Sequence, residues 1–178
     1  TVVISAAMDY RLPTTVVPKR YDLRLEPDLA AAPFLGEAVI TVDVETTLTE
    51  ITLNAAELLI LSASVARVGG VPIHGSITLD EAAERARLVF PAAIAPGEWR
   101  LTLRFTGTLN DRLHGFYRST YKDAAGQPHT LAATQFEATD ARRGFPCWDE
   151  PAFKAVFGVT LVVAGNLTAV SNTATVRE

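Results

Sequence analysis

Apolar side chains recur at every second residue along most of this chain, and that spacing restricts what it can fold into. Tyr21, Leu23 and Leu25 alternate with Asp22 and Arg24. Ala38, Ile40, Val42 and Val44 share one face of the next run. Trp99, Leu101, Leu103 and Phe105 stand opposite Arg100, Thr102, Arg104 and Thr106, and Phe157, Val159, Leu161 and Val163 are expected to form a further inward row. Extended backbone sends successive side chains to opposite faces, so each run reads as a strand with one face in a core and one in water. Turn signals separate the runs at Pro27-Asp28, Gly69-Gly70, Pro96-Gly97, Gly126 and Gly165-Asn166. Helical spacing is scarce. Leu79 to Arg87 has enough Glu and Ala for a turn or two before Leu88-Val-Phe90-Pro91 resumes as strand, and Ala138 to Arg143 is expected to make a short helical turn ended by Gly144 and Pro146. The pattern predicts an all-β sandwich of many short, mostly antiparallel strands, in one domain over residues 1–178 without an internal linker.

Size and charge narrow the function classes. A chain of 178 residues with 48% hydrophobic content buries a sizeable core without disulfides. A net charge of −4 is the opposite of a phosphate-neutralising surface, so nucleic acid is not an expected partner. A single cysteine excludes an internal disulfide framework and a multi-cysteine zinc site. No apolar run approaches the roughly 20 residues of a membrane-spanning helix. The opening Thr1–Met8 lacks the basic flank and apolar length of a signal peptide, so the expected location is cytoplasmic. A first residue other than Met leads to the expectation that this is a piece of a longer chain.

Most catalytic signatures are missing. His74, His114 and His129 are followed by Gly75, Gly115 and Thr130, so none opens a His-Glu-x-x-His helix, and all three are expected at the surface. There is no Gly-x-Ser-x-Gly elbow and no phosphate-cradling glycine loop. Cys147, between Pro146 and Trp148, is expected to be a buried structural thiol. Asp149 and Glu150 are neighbours, and in extended backbone they point to opposite faces, which excludes a two-carboxylate glycosidase. They are expected to cap amides in a turn or to pair with Arg142 and Arg143. The sequon Asn166-Leu-Thr168 is of a kind common by chance.

One stretch differs from the rest. Thr134 to Ala155 crowds arginines, acids, aromatics and prolines into the span after a strand, the mixture in which binding loops are made. Its core, Ala141-Arg-Arg-Gly-Phe-Pro-Cys-Trp-Asp-Glu-Pro151, resembles the signature of the N-terminal domain of zinc aminopeptidases of the aminopeptidase N and puromycin-sensitive type. Arg11-Leu-Pro13, Val17-Pro18, Tyr21-Asp-Leu23, Phe34-Leu-Gly36, Ile51-Thr-Leu-Asn54, Gly115-Phe-Tyr-Arg-Ser119, Tyr121 and Val170-Ser-Asn172 extend the resemblance in the same order over most of the chain.

The resemblance implies a large, saddle-like β-sandwich that precedes a catalytic domain carrying His-Glu-x-x-His, a distant Glu and Gly-x-Met-Glu-Asn. Those motifs are absent, and the sole methionine is Met8, between Ala7 and Asp9. The zinc and the general base are therefore expected beyond Glu178, with no catalytic or metal-ligating residue in this chain. The resemblance assigns Gln135 to the pocket for the substrate's first side chain and Glu137 to its free α-ammonium. Extended backbone would put positions 135 and 137 on one face and send Phe136 inward. The alternative is a solvated strand face with Glu137 paired to an arginine. At the level of function, the resemblance implies removal of single residues from peptide amino termini, with peptides and the catalytic domain as partners. The alternative there is a stand-alone β-sandwich binding or scaffold module. Docking on a catalytic domain would leave Phe145 and Trp148 as an exposed apolar patch, with Arg142 and Arg143 lacking partners.

Overall fold

A computed structural model describes residues 10–177, so the readings made on Thr1–Met8 lie outside the described residues. The strands are β1 (Val16–Pro27), β2 (Pro33–Val44), β3 (Leu48–Asn54), β4 (Leu59–Ala66), β5 (Ile73–Asp80), β6 (Arg85–Ile94), β7 (Gly97–Thr108), β8 (Gly115–Lys122), β9 (Pro128–Gln135) and β10 (Val156–Leu161). The expected helical turn after β9 is a 3₁₀ turn at Ala141–Arg143 with Gly144 at its C-cap. Leu79 to Arg87 forms the end of β5, a turn and the start of β6. The fold is all-β, as the alternation requires.

Eight strands form one mixed sheet in the order β10-β1-β2-β7-β4-β5-β6-β3, and β8 and β9 form a separate hairpin. The sheet curls into a half-barrel, and β5 carries the bend. Its first residues, Ile73 to Gly75, pair with β4, whereas Ser76 to Asp80 pair with β6. Gly75 sits at this change of partner, where a Cβ would lie 2.9 Å from the Phe90 ring. The inward faces of both halves meet in one apolar cluster that includes Ile40, Ile51, Leu88, Leu103 and Phe105. The alternating rows of β1, β2 and β7 point into it, with Asp22, Arg24, Arg100 and Arg104 outside.

The row of β10 departs from expectation. Phe157 and Val159 are 52% and 50% exposed, Leu161 is half-buried, and Val163 lies beyond the strand. The phase of the alternation is right: β10 pairs in parallel with β1, Phe157 opposite Tyr21 and Val159 opposite Leu23. Burial needs a second layer across from the strand, and β10 is the outermost strand of the sheet. The Phe157 ring covers one side of itself by stacking on Tyr21, with centroids 4.8 Å apart.

Leu103 and Leu35 test this arrangement. Leu103 lies at the centre of the cluster and Leu35 points to solvent on a neighbouring strand. Leu103→Ala is expected to lower stability to urea by about 2–5 kcal/mol, and Leu35→Ala by less than about 0.5 kcal/mol. Equal costs would mean that the two faces of the sheet have been assigned wrongly.

Candidate functional site

The distinctive stretch begins where the β8–β9 hairpin ends. Gln135 is the last residue of β9 and pairs with Gly115. Gly115 has φ +67°, and a Cβ there would come 2.7 Å from that of Arg143, so only glycine fits. Beyond Gln135 the chain turns back, and the Asp140 amide donates to the Phe136 carbonyl at 3.0 Å. Glu137 lies in this turn, and the Glu137–Ala138 peptide is cis. The strand thus stops before the alternation reaches Glu137. Gln135 and Glu137 are both exposed, and the half-buried Phe136 between them meets Phe145 edge-on at 5.7 Å. Neither the Gln135 nor the Glu137 side chain has a hydrogen-bond or ion-pair partner among the described residues. The two nearby arginines are committed elsewhere.

Arg142 and Arg143 anchor an ionic cluster behind the turn. Arg142 Nε donates to Asp149 Oδ2 at 2.9 Å and its Nη1 to Glu84 Oε2 at 3.0 Å. Arg143 donates from Nε to Asp140 Oδ1 at 2.9 Å, from Nη1 to Glu57 Oε1 at 2.6 Å and from Nη2 to Glu84 Oε1 at 2.5 Å. Arg112 holds the other oxygen of Glu57, and His114 Nδ1 lies 3.1 Å from Asp140 Oδ1. Burial pushes the Asp140 carboxyl up, yet hydrogen bonds from His114 and Arg143 outweigh it and leave the group below its ordinary value. The Arg143 guanidinium is likewise opposed by burial, but its bond to Asp140 and the charges of Glu57 and Glu84 raise it overall. Glu57 and Glu84 were not legible as members of this cluster. They lie in the turns before β4 and β6 with φ +57° and +52°, a region that costs a side-chain-bearing residue roughly 1–2 kcal/mol.

The expected docking patch is corrected here. Phe145 and Trp148 are only 5% and 4% exposed, and Arg142 and Arg143 are paired. The reason is a pair of backbone hydrogen bonds that stitch this loop to the end of β3. Asn54 and Cys147 exchange amide-to-carbonyl bonds of 2.8 and 3.0 Å. The Trp148 amide donates to the Tyr21 hydroxyl at 3.1 Å, and the Asp149 amide to Asn54 Oδ1 at 3.2 Å. Glu150 accepts from the Leu12 amide at 2.6 Å, so both acids of the Asp-Glu pair act as turn and pairing groups. Some exposed apolar surface lies beside this loop. Phe157 borders a hollow of about 320 Å³ whose walls include Tyr21, Phe145, Trp148, Phe153 and Lys154.

His129 pairs with Asp123 at 3.0 Å, and His74 lies in β5. Among the described residues no group of three or more His, Cys, Asp or Glu side chains is placed to hold a metal ion, so the residues present do not fit a zinc site.

Residues 17–178 match a family described as the peptidase M1 N-terminal domain. A rice (Oryza sativa subsp. japonica) protein named aminopeptidase M1-D is 48% identical over 168 residues, which cover 94% of this chain and 19% of the relative. The puromycin-sensitive aminopeptidase of Caenorhabditis elegans is 40% identical over 98% of this chain and 19% of its own length. The aminopeptidase N of Acetobacter pasteurianus is 39% identical over 91% of this chain and 44% of its own length. The chain thus spans about a fifth of the rice and nematode relatives.

Cys147 reports on whether this loop is as closed as its bonds imply. Its thiol is buried, and burial pushes it well above the ordinary thiol value, with the charge of Asp149 adding and Arg142 opposing. A thiol-specific reagent at mildly alkaline pH should modify the native protein about a thousandfold or more slowly than the urea-unfolded chain. Comparable rates would show that the loop opens freely.

Proposed function

The chain belongs to the peptidase M1 N-terminal domain family, and we propose that it is the substrate-recognition domain of a zinc-dependent aminopeptidase, an enzyme that removes single residues from peptide amino termini. One observation carries the reading. Glu137 presents an exposed carboxylate with no partner among the described residues, next to an exposed Gln135, on a turn backed by a paired ionic cluster. Three relatives that bear the name aminopeptidase support it.

An aminopeptidase must distinguish a free amino terminus from an internal peptide bond. A fixed carboxylate does so, because it makes a charge-assisted hydrogen bond with an ammonium and finds no cation in an amide. In this reading Glu137 takes the α-ammonium and Gln135 borders the pocket for the first side chain. This chain's share of the reaction is binding and orientation. In this reading the zinc is held by the rest of a longer protein, and the described residues do not fit it. That remainder docks on the exposed face of β10, where Phe157 and Val159 supply the apolar contact. We place the protein in the cytoplasm, where the single thiol of Cys147 stays reduced.

The test is kinetic. In the full-length enzyme, Glu137→Gln keeps the shape and removes the charge, a loss of about 1.5–3 kcal/mol in a charged hydrogen bond. The kcat/KM for free-amine peptides should fall by about one to two orders of magnitude, while affinity for an N-acetylated analogue hardly changes. Gln135→Ala should alter preference for the first side chain and leave the amine requirement intact. Equal losses for free and blocked ligands in Glu137→Gln would refute the amine anchor. For the docking face, Phe157→Ala should cost less than about 1.5 kcal/mol in the 178-residue chain and about 3–5 kcal/mol in the longer protein. The same small cost in both would place the contact elsewhere.

A further inference from the structure

We propose that Arg143 is a positioning residue for Glu137, holding the turn that carries the carboxylate and tying it to the rigid sheet. The inference rests on the reading of Glu137 as the amine anchor. The connection is short and continuous. Glu137 lies inside the turn closed by the Asp140 amide on the Phe136 carbonyl. The Asp140 side chain accepts from Arg143 Nε at 2.9 Å, and the Arg143 amide donates to the Asp140 carbonyl at 3.1 Å. The remaining ends of the guanidinium reach Glu57 and Glu84, which belong to turns at the ends of sheet strands. One planar group therefore bridges the turn that carries Glu137 to two turns that lead into sheet strands.

Three features set this bridge apart from an ordinary surface ion pair. Arg143 is half-buried, and its Nε and both terminal nitrogens each have a separate carboxylate partner. Both glutamates adopt a left-handed backbone that favours glycine or asparagine, so turn geometry alone does not call for glutamate there. Gly115, the ladder partner of Gln135, is the residue whose missing Cβ lets Arg143 approach. Arg143 thus abuts the strand residue that pairs with one proposed substrate contact and grips the turn that presents the other. Lysine at this position would keep the charge but lack the planar fork that meets three carboxylates at fixed angles.

The experiment is a double-mutant cycle in the full-length enzyme, with Arg143→Lys and Glu137→Gln alone and together. The readout is the ratio of inhibition constants for a free-amine dipeptide analogue and its N-acetylated counterpart. If Arg143 acts through Glu137, Arg143→Lys should shrink that ratio by ~10- to 100-fold, as a misplaced contact does, and should shrink it little further in the Glu137→Gln background. Asp140→Ala removes the acceptor at the other end of the same connection and should reproduce the effect, which keeps the test open should Arg143→Lys fail to fold. An unchanged ratio in the folded single variants would overturn the inference, as would a full-sized further loss in the double variant. Should Glu137→Gln itself leave the ratio unchanged, the amine-anchor reading fails and this inference falls with it. An effective Glu137→Gln combined with an independent Arg143→Lys defeats the positioning role alone.

Discussion

The unbroken pairing of β2 with β7 organises the molecule. Twelve residues of each strand, Pro33–Val44 and Thr108–Gly97, are matched without a shift in register. A slip of one residue would turn every side chain to the opposite face, so this register decides that Ala38 faces in beside Leu103 and Ile40 beside Leu101. On one side β2 carries β1, and on the other β7 carries β4, which leads through β5 to the other half of the half-barrel. The neighbouring pairs do contain shifts, between Pro18 and Arg20 and between Ile60 and Ser62. The central ladder supplies an unshifted reference, and the irregularities lie in the pairs beside it.

The site region depends on that frame through polar contacts. The loop that carries Phe145, Cys147 and Trp148 buries backbone groups, and each needs a partner or costs a desolvation penalty. Asn54 meets this demand twice: its backbone pairs with Cys147, and its side-chain oxygen accepts from the Asp149 amide. Tyr21 contributes its hydroxyl to the Trp148 amide and its ring to Phe145 and Phe157. Burial raises the phenol far above its ordinary value, so it remains a neutral group in that contact. The exposed side chains of Gln135 and Glu137 thus project from a segment whose supports are largely enclosed.

The strands were legible because their signal is local. Alternation in β1, β2 and β7 needs only neighbouring residues to be read, and Gly144 and Pro146 marked the end of the helical turn in the same way. The pairing of Arg142 with Asp149 and the burial of Cys147 were also readable from short-range sequence. What escaped depends on distant partners. Phe145 and Trp148 stand among charges and read as surface, but a bridge to Asn54 draws their loop inward. Phe157 alternates like a core residue, and its exposure reflects the absence of an opposing layer among the described residues. Glu57 and Glu84 carry no local mark of their role, because their backbone conformation and the arginines they bind are set by tertiary structure. The resemblance named Gln135 and Glu137, but it did not disclose that β9 ends between them.

The parallel pairing of β1 with β10 also has a consequence for the order of assembly. Arg20 meets Val156, so one edge of β1 is completed by β10, the last strand among the described residues. Closing so long a loop carries an entropic cost that hairpin neighbours do not bear, which makes this seam a late step in folding. During synthesis the hairpin-linked strands emerge and pair while β1 keeps one row of backbone donors and acceptors open. Such a row is a template for pairing with another chain. Until β10 arrives, that open edge of β1 is one place where a nascent molecule can associate with its neighbours and where chaperone contact would protect it.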